Sequence, residues 1–436
     1  MKRIINSAKS LLVALCVVCA TALASCNYVE MNTSGSENLL QEFRMTYGSA
    51  DYYANINQYS GLISNPYVTS TKYISSVKYT LAEGASITPD PAAVTDWGAS
   101  QSFSVTRGTE SKRYTVELPS LVEVTEFKSI GYLPINDYAY ETMYGTINWD
   151  YLSHLMISFL LIDADGNAIE SDNLKKYISA AIRDAQANNV KAMISVAKSD
   201  SYTMFYMIQD EEKRANAINN IIEYLEDYNL DGVDIDYEDY TEGTLWNQWS
   251  TNYPYLELFM SELHTAMKAK NPNWILSTAV NPLLPYSSEW QNYSDFINLM
   301  IYDENSPTGS TPVQHAPMYK FEEEIERWLT TYNTPSSKLM AGVPFYGYTW
   351  ASGSGVAIRY RDIIETYGAQ YADLDLCTAG DFSIYYNGRP TIREKCEYIR
   401  DNNIGGVMIW QILQDTEEYE TRLVNVIGDV LEIEGK

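Results

Sequence analysis

The sequence predicts an α/β fold, a (β/α)₈ TIM barrel preceded by an all-β immunoglobulin-like sandwich. From residue 127 onward, eight short apolar runs alternate with amphipathic stretches, as parallel strands do when helices join them. A doubly wound open sheet is the alternative, but no glycine-rich phosphate loop follows the first run. Before residue 120, short alternating runs are separated by prolines and glycines, which is typical of a β sandwich.

The first 25 residues have the pattern of a secretion signal. A basic start is followed by an apolar run over 11–24 that is too short to anchor as a spanning helix. The run ends in LASC at residues 23–26, which resembles a bacterial lipobox, so we expect lipidation of Cys26. An ordinary signal peptide with an incidental cysteine is the alternative. Lipid at Cys26 would be the only membrane attachment and would place a bacterial lipoprotein at the outer membrane, on the cell surface or the periplasmic face.

Residues 26–122 are predicted to form the sandwich. The segments 102–106 and 113–118 alternate apolar and polar residues around a turn at 107–109, and 77–81 is an earlier alternating run. Residues 123–436 are predicted to form the barrel, and its strand candidates are 127–133, 152–159, 190–196, 230–238, 274–280, 296–302, 339–345 and 406–412.

Helices are predicted between these strands from apolar residues at helical spacing. One set is Ala215, Ile218, Ile222 and Leu225, and another is Phe321, Ile325, Trp328 and Leu329. A further helix is expected to begin at Thr391, because Glu394 three residues later completes a capping-box pattern.

The composition narrows the classes of partner. Net charge is −27, with 57 acidic against 30 basic residues, which argues against nucleic acid and is compatible with a neutral glycan. Three histidines without a Cys/His cluster argue against a catalytic zinc, so we expect no metal and no cofactor. We expect a monomer. Cys377 and Cys396 either pair or remain buried thiols.

The densest polar feature is DGVDIDYE at residues 231–238. Asp234, Asp236 and Glu238 alternate with bulky residues, so a strand would place the three acids on one face, roughly 7 Å apart. The flanking chain is apolar, so this face should line a cleft, where at least one carboxyl keeps its proton near neutral pH. Glycosidic bond cleavage needs such a proton. A calcium site is the alternative, but it would need a flexible, glycine-bent loop.

This motif resembles the active-site signature D-G-x-D-x-D-x-E of glycoside hydrolase family 18, the chitinases and related endo-β-N-acetylglucosaminidases. Three further segments resemble family motifs in the family's order: NLMIYD at 298–303, LMAGVPFYG at 339–347 and GGVMIW at 405–410. The resemblance covers about residues 127–415. Each motif lies at the end of a predicted strand, where barrels of this kind carry their active sites.

The resemblance implies substrate-assisted retaining hydrolysis, in which the N-acetyl oxygen of the sugar attacks the anomeric carbon. It implies that Glu238 protonates the leaving oxygen and later activates water, that Asp236 orients the acetamido group, and that Asp234 shares a proton with Asp236. Tyr302 would bind the acetamido carbonyl, and Trp410 would form the floor beneath that sugar.

The resemblance also implies substrate contacts by Met300 and Ser195. Asp303 and Tyr346 are either sugar contacts or ordinary packing and capping residues. Asp231 lies outside the alternating set and is expected to brace the start of the strand.

Two departures from the family pattern matter. The third strand usually ends S-x-G-G, whereas this chain has Lys198 at the last position, and we expect that residue to crowd or charge the floor of the cleft. The interval 348–404 is expected to be too short for the full α+β insertion of larger chitinases, which would leave a shallower, more open cleft.

The segment 86–118 resembles modules that precede catalytic domains in surface lipoproteins of glycan-degrading Gram-negative bacteria. Its simplest role is a spacer, and nothing in its residues selects a carbohydrate-binding role. Trp246 and Trp249, in the loop after the fourth strand, are either sugar platforms or residues packed on the next helix.

The favoured function is hydrolysis of β-1,4 bonds in GlcNAc-containing glycans, the oligosaccharide or polysaccharide partner being of the chitin type. An endo-β-N-acetylglucosaminidase acting on the chitobiose core of N-glycans is the first alternative, and Tyr237, where chitinases often have Trp, favours it. An inactive, lectin-like relative is the second alternative, but such relatives usually lose the acid that this chain keeps as Glu238. A purely structural lipoprotein is the third alternative, but the presence of four family motifs at predicted strand ends would then be a coincidence.

Overall fold

The computed structural model describes residues 38–433, except for the segments 48–49, 66–67, 69–73, 98–99, 119–123, 240–248, 305–311, 351–354 and 380–381 and the single residues 125, 136 and 288. The predicted signal, Cys26, Trp246 and the boundary at 122–123 therefore lie outside the described residues. No helix in the described part is both long and apolar enough to cross a membrane.

The N-terminal part is β-rich, as predicted. Its strands are β1 (Leu40–Tyr47), β2 (Ala50–Tyr53), β3 (Asn55–Asn57), β4 (Leu62–Ser64), β5 (Ile74–Leu81), β6 (Ser86–Thr88), β7 (Gln101–Arg107) and β8 (Glu110–Glu117). They form a sheet in the order β2–β1–β5 and a second in the order β3–β4–β8–β7–β6. The rings of Phe43, Trp97 and Phe103 meet in a shared core. The immunoglobulin-like topology stays a prediction.

The remaining strands, in chain order, are β9 (Lys128–Pro134), β10 (His154–Ile162), β11 (Ala168–Ile169), β12 (Lys191–Lys198), β13 (Gly232–Asp236), β14 (Ile275–Val280), β15 (Phe296–Leu299), β16 (Leu339–Pro344), β17 (Tyr346–Trp350), β18 (Gly355–Arg359), β19 (Leu376–Ala379), β20 (Phe382–Tyr385) and β21 (Gly406–Trp410). Eight of them, β9, β10, β12 to β16 and β21, pair in parallel in this order, and β21 pairs back onto β9. The sheet closes, so the predicted barrel is confirmed.

The helices are α1 (Asp137–Met143), α2 (Asp172–Ala187), α3 (Thr203–Met207), α4 (Glu211–Asp227), α5 (Trp249–Lys270), α6 (Met318–Thr330), α7 (Tyr360–Tyr367), α8 (Arg389–Asp401) and α9 (Leu423–Leu431). The four residues predicted to pack from α6 are all buried. The buried face of α4 includes Ile218 and Leu225, but Ala215 is exposed and Ala217 is buried instead.

The predicted capping box at Thr391 is wrong. Helix α8 begins two residues earlier, and its N-cap is Gly388, which has no side chain to accept a hydrogen bond. The hydroxyl of Thr391 donates instead to Oδ2 of Asp375, at 2.6 Å. The hydroxyl therefore serves a tertiary contact with the segment before the helix.

The interval between the last two barrel strands, which was expected to be too short for a full α+β insertion, nonetheless holds an α+β unit. Strands β17 to β20 form a four-stranded antiparallel sheet in the order β18–β17–β20–β19, and α7 lies between β18 and β19. Hairpins need few residues, so this α+β unit fits in the interval. Strand β17 packs Tyr346, Tyr348 and Trp350 against Tyr302 and Trp410. The unit therefore forms a wall beside the ends of barrel strands, where an open cleft was expected.

Candidate active site

The acid motif lies on β13, which is buried over its whole length. Its glycine has a steric reason, because a Cβ on Gly232 would lie 2.1 Å from the carbonyl oxygen of Ile275 on the neighbouring strand. Asp231 accepts a hydrogen bond from the amide of Ala192 at 2.9 Å and pairs with Lys191. It braces the start of the strand, as predicted.

Asp234 is fully buried and accepts four hydrogen bonds inside the barrel. Oδ2 accepts from the hydroxyls of Tyr132 and Ser195, both at 2.8 Å. Oδ1 accepts from the hydroxyl of Ser277 at 2.7 Å and from the amide of Asn298 at 3.2 Å. Burial raises the pKa of Asp234, and the four donors oppose that rise by stabilising the carboxylate.

Asp236, two residues further on, has the opposite environment. It is buried, and its Oδ1 has no hydrogen-bond partner among the described residues. Burial raises its pKa well above the ordinary value, and the nearby carboxyls of Glu238 and Asp234 raise it further, while Lys198 opposes them. These surroundings shift Asp236 toward its protonated form, and the expectation that one acid of this face keeps its proton near neutral pH stays a prediction. The sharing of that proton with Asp234 stays a prediction.

Glu238 follows β13 at its carboxyl end and is half-buried. Lys198, the last residue of β12, lies 3.4 Å from its carbonyl oxygen and 3.3 Å from Oδ1 of Asp239. The ammonium group of Lys198 lowers the pKa of Asp236, so a positive charge acts on this acid, while crowding or charging of the cleft floor by Lys198 stays a prediction.

Tyr302 and Trp410 lie with Met300 at the mouth of the barrel, packed on its interior methionine-rich core. Burial raises the pKa of the Tyr302 hydroxyl well above its ordinary value, as do the carboxyls of Asp236 and Glu238, so the hydroxyl is a permanent donor. In this structure the hydroxyl lies 3.8 Å from the sulfur of Met408. The ring of Trp410 is half-buried and stacks on Phe159, with 6.1 Å between centroids.

Asp303 is held by the α+β unit. Its Oδ1 accepts hydrogen bonds from Tyr346 at 2.8 Å and Tyr348 at 3.0 Å, and Nδ1 of His315 lies 3.1 Å away. Burial raises its pKa, but the His315 contact and the two tyrosine bonds outweigh burial and lower it, so Asp303 is ionised. Its side chain stays 45% exposed, so it remains available to a sugar. Tyr346 is buried and orients Asp303.

Trp249 does not form the sugar platform considered above. It is 5% exposed, its indole N–H donates to the carbonyl of Pro285 at 2.7 Å, and its ring packs against Tyr237, Tyr253 and Tyr286. It belongs to the core between the barrel and α5.

Several site residues were missed from the sequence: Tyr132, Ser277, Asn298, His315 and Tyr348. The first three carried a usable signal, because each is a polar group inside an otherwise apolar strand. Such groups need partners when buried, and the interior of the barrel is where partners from different strands meet.

Residues 128–415 match the sequence model of the glycosyl hydrolases of family 18. Among solved structures, the chain is similar to a chitinase from Bacteroides thetaiotaomicron, at 37% identity and a TM-score of 0.64 over 71% of this chain and 98% of that one. It is also similar to the GH18 chitinase ChiB from the chitin utilization locus of Flavobacterium johnsoniae, at 31% identity and a TM-score of 0.60 over 70% and 94%. Probable chitinase 10 of Drosophila melanogaster is 23% identical over 363 residues, 66% of this chain, and the chain spans 15% of its length.

Proposed function

The chain belongs to family 18 of the glycosyl hydrolases, and we propose that it is an active enzyme that cleaves β-1,4 bonds of GlcNAc-containing glycans. One observation carries the proposal. Along β13 and just after it, three acids follow one another toward the open end of the barrel: Asp234 with four donors, the buried Asp236 with an oxygen that bonds to none of the described residues, and the half-exposed Glu238. This order suits a proton donor supported by groups with shifted pKa values.

We propose substrate-assisted hydrolysis. Glu238, the acid that reaches the open end, protonates the leaving oxygen and then activates water. Because Oδ1 of the buried Asp236 bonds to none of the described residues, we propose that the side chain turns toward the substrate and accepts from the acetamido N–H of the sugar. The neutral hydroxyl of Tyr302 is suited to donate to the acetamido carbonyl, which would place that oxygen in line with the anomeric carbon. Trp410 offers the half-exposed ring beneath the sugar.

Chitin-type oligomers are the proposed substrate, supported by the two similar bacterial chitinases. The chitobiose core of N-glycans is the alternative, which Tyr237 favoured. That argument loses weight, because Tyr237 is buried, bonded to Asn252 and packed against Trp249 on the outer face of β13. It does not line the cleft, so its identity says little about the substrate.

Product analysis tests this proposal. The wild-type protein and Glu238→Gln would be incubated in parallel with chitin oligomers, a high-mannose glycoprotein and a complex N-glycoprotein, and released sugars measured by mass spectrometry. We expect wild-type cleavage of the oligomers and none by the variant. Glycan release from the glycoproteins alone would favour the endoglycosidase. Tight oligomer binding without cleavage by either protein would favour the lectin-like alternative.

We further propose that Cys26 carries lipid, supported by the LASC sequence alone. Membrane-associated protein should then enter the detergent phase on phase separation, and Cys26→Ala should not. Absence of fatty-acid label on the wild-type protein would contradict the lipid anchor without affecting the enzymatic proposal.

A further inference from the structure

Lys198 lies beside the acids of the site, at a position where the family motif has glycine. Lys198 ends β12, and its Nζ lies 3.3 Å from Oδ1 of Asp239. The Asp239 side chain is fully buried and that of Lys198 is 21% exposed. A buried carboxylate needs such a partner, because removing one member of a pair at this depth leaves an uncompensated charge.

Asp239 also holds the chain that follows β12. Its Oδ1 accepts from the amide of Tyr202 at 3.2 Å, and its Oδ2 accepts from the amide of Phe205, at the start of α3, at 2.7 Å. The ends of two neighbouring barrel strands are thus joined through one side chain. Glu238 stands directly before this junction, and Lys198 also reaches its carbonyl oxygen at 3.4 Å. The backbone on both sides of Glu238 is therefore fixed, by β13 before it and by Asp239 after it.

The same lysine acts electrostatically on the acids. Lys198 lowers the pKa of Asp236 against burial and the charges of Glu238 and Asp234, and it lowers that of Asp239 against burial. Among the described residues, the titratable groups that face this cluster include the carboxyls of Asp234, Asp236, Glu238 and Asp239, the hydroxyls of Tyr132, Tyr237, Tyr286 and Tyr302, and the ammonium group of Lys198.

We propose that Lys198 is a positioning residue for the glycosidase reaction. Paired with Asp239, it fixes the backbone of Glu238 and places a positive charge beside the acid line, which consists of Asp234, Asp236 and Glu238. This inference rests on the proposed function. The competing interpretation is an ion pair that only fastens two loops. The two differ in one respect, because only a charge that acts on the reacting acids changes the pH at which they ionise.

The test is the pH profile of kcat/KM on a GlcNAc oligomer for Lys198→Met, Asp239→Asn, the double variant and Lys198→Arg. Lys198→Met removes a positive charge, so carboxyls hold their protons more tightly and both limbs should move to higher pH by about 0.5–1 unit. Asp239→Asn removes a negative charge, so both limbs should move to lower pH. The double variant should return the limbs toward the wild-type positions with a lower kcat, and Lys198→Arg should keep the limbs.

Lys191→Met is the matched control. Lys191 begins the same strand and pairs at 2.9 Å with Asp231 at the other end of β13, with its side chain 56% exposed. Its loss should leave both limbs in place. If the wild-type protein is active and neither Lys198→Met nor Asp239→Asn shifts the limbs of the pH profile, the proposal is wrong. The ion pair would then only hold the two loops together.

A second readout separates failure of this inference from failure of the proposed function. Lys198→Met leaves the buried Asp239 without its cation, so the folded-state pKa of Asp239, already raised by burial, rises further. A raised acid pKa costs stability as pH rises above the unfolded value, so the fall in Tm should be larger at pH 8 than at pH 5. An inactive wild-type protein with this pattern contradicts the enzymatic proposal, and the positioning role with it, while the ion pair between Lys198 and Asp239 stands. Equal losses of Tm at both pH values contradict the ion pair itself.

Discussion

Asp234 and Asp236 are two buried carboxyls of one strand, separated by a single residue, and their surroundings differ completely. Four strands each send a donor to Asp234, whereas Oδ1 of Asp236 has no hydrogen-bond partner in the described part of the chain. Both carboxyl oxygens of Asp234, at the inner end of this line of acids, therefore have donors. At the outer end, the carboxyl of Glu238 disfavours ionisation of Asp236.

The difference teaches how one strand supports two kinds of acid. Hydrogen bonds to the carboxylate form favour ionisation, while burial beside like charges favours the neutral form. Burial raises the pKa of both Asp234 and Asp236, and the two differ in how far their surroundings stabilise the ionised form. Unsatisfied buried polar groups are costly, so the one at Asp236 is expected to meet a partner when the site is occupied.

The largest effect should come from Glu238, at the open end. Glu238→Gln keeps the shape and removes the proton, so turnover of GlcNAc oligomers should fall by about 10²–10⁴ while oligomer binding is largely kept. Steady-state kinetics and calorimetry measure the two quantities. Glu322→Gln, at an exposed position of α6, is the matched control. Activity within a few-fold of wild type in Glu238→Gln would remove Glu238 from its role.

The next effect concerns Asp236 and sets it apart from Asp234. Asp236→Asn should lower kcat by about 10²–10³, because an amide replaces the carboxyl proposed to orient the acetamido group of the sugar. Its effect on stability should depend on pH. The folded pKa of Asp236 is raised, so the wild-type protein loses stability as pH rises from about 4 toward that pKa, and the amide does not. The difference in Tm between Asp236→Asn and the wild type should therefore change in favour of the variant as pH rises from 5 to 8.

Asp234→Asn is the contrasting variant for this measurement. Asparagine replaces one carboxyl oxygen with an NH₂ group that cannot accept, so some of the four donors lose their acceptor. The Tm of this variant should therefore be lower than that of the wild type across the same pH range. If the two asparagine variants shifted Tm alike, the distinction between a satisfied and an unsatisfied acid would be lost.

The line of acids could be predicted because its signal is local: three acids alternate with bulky residues at period two. The polar groups inside other apolar strands were also a usable signal, but their pairing with Asp234 could not be predicted, because the donors lie up to 102 residues away and the register between parallel strands cannot be read from either strand alone. Trp249 was ambiguous for the same reason, since its acceptor, Pro285, is 36 residues further on. The four-stranded α+β unit could not be predicted, because the length of an interval does not show how compactly hairpins fold in it.

A smaller effect should follow from removing one of the four hydrogen-bond donors to Asp234. Ser277→Ala removes a 2.7 Å hydrogen bond to Asp234 and should cost about 1–3 kcal/mol in the free energy of unfolding, measured by urea denaturation. Because three donors remain, kcat should change only a few-fold. Ser153→Ala is a control of the same chemistry, since its hydroxyl bonds to the backbone of Ser129 outside the acid line. A loss of turnover as large as that of Asp236→Asn would show that Asp234 takes part in the chemistry more directly than its hydrogen bonds indicate.

The smallest effect should come from Trp249. Its replacement tests whether the buried core around this ring is independent of the sugar-binding mouth of the barrel. Trp249→Phe keeps most of the ring contacts with Tyr237 and Tyr286 and removes the N–H bond to Pro285. The expected cost is about 1 kcal/mol of unfolding free energy with KM unchanged, because the ring is buried away from the acid face. Trp410→Phe should do the opposite, raising KM with little change in stability, since its ring is half-exposed at the mouth of the barrel. A raised KM in Trp249→Phe at unchanged stability would return Trp249 to the sugar-binding surface.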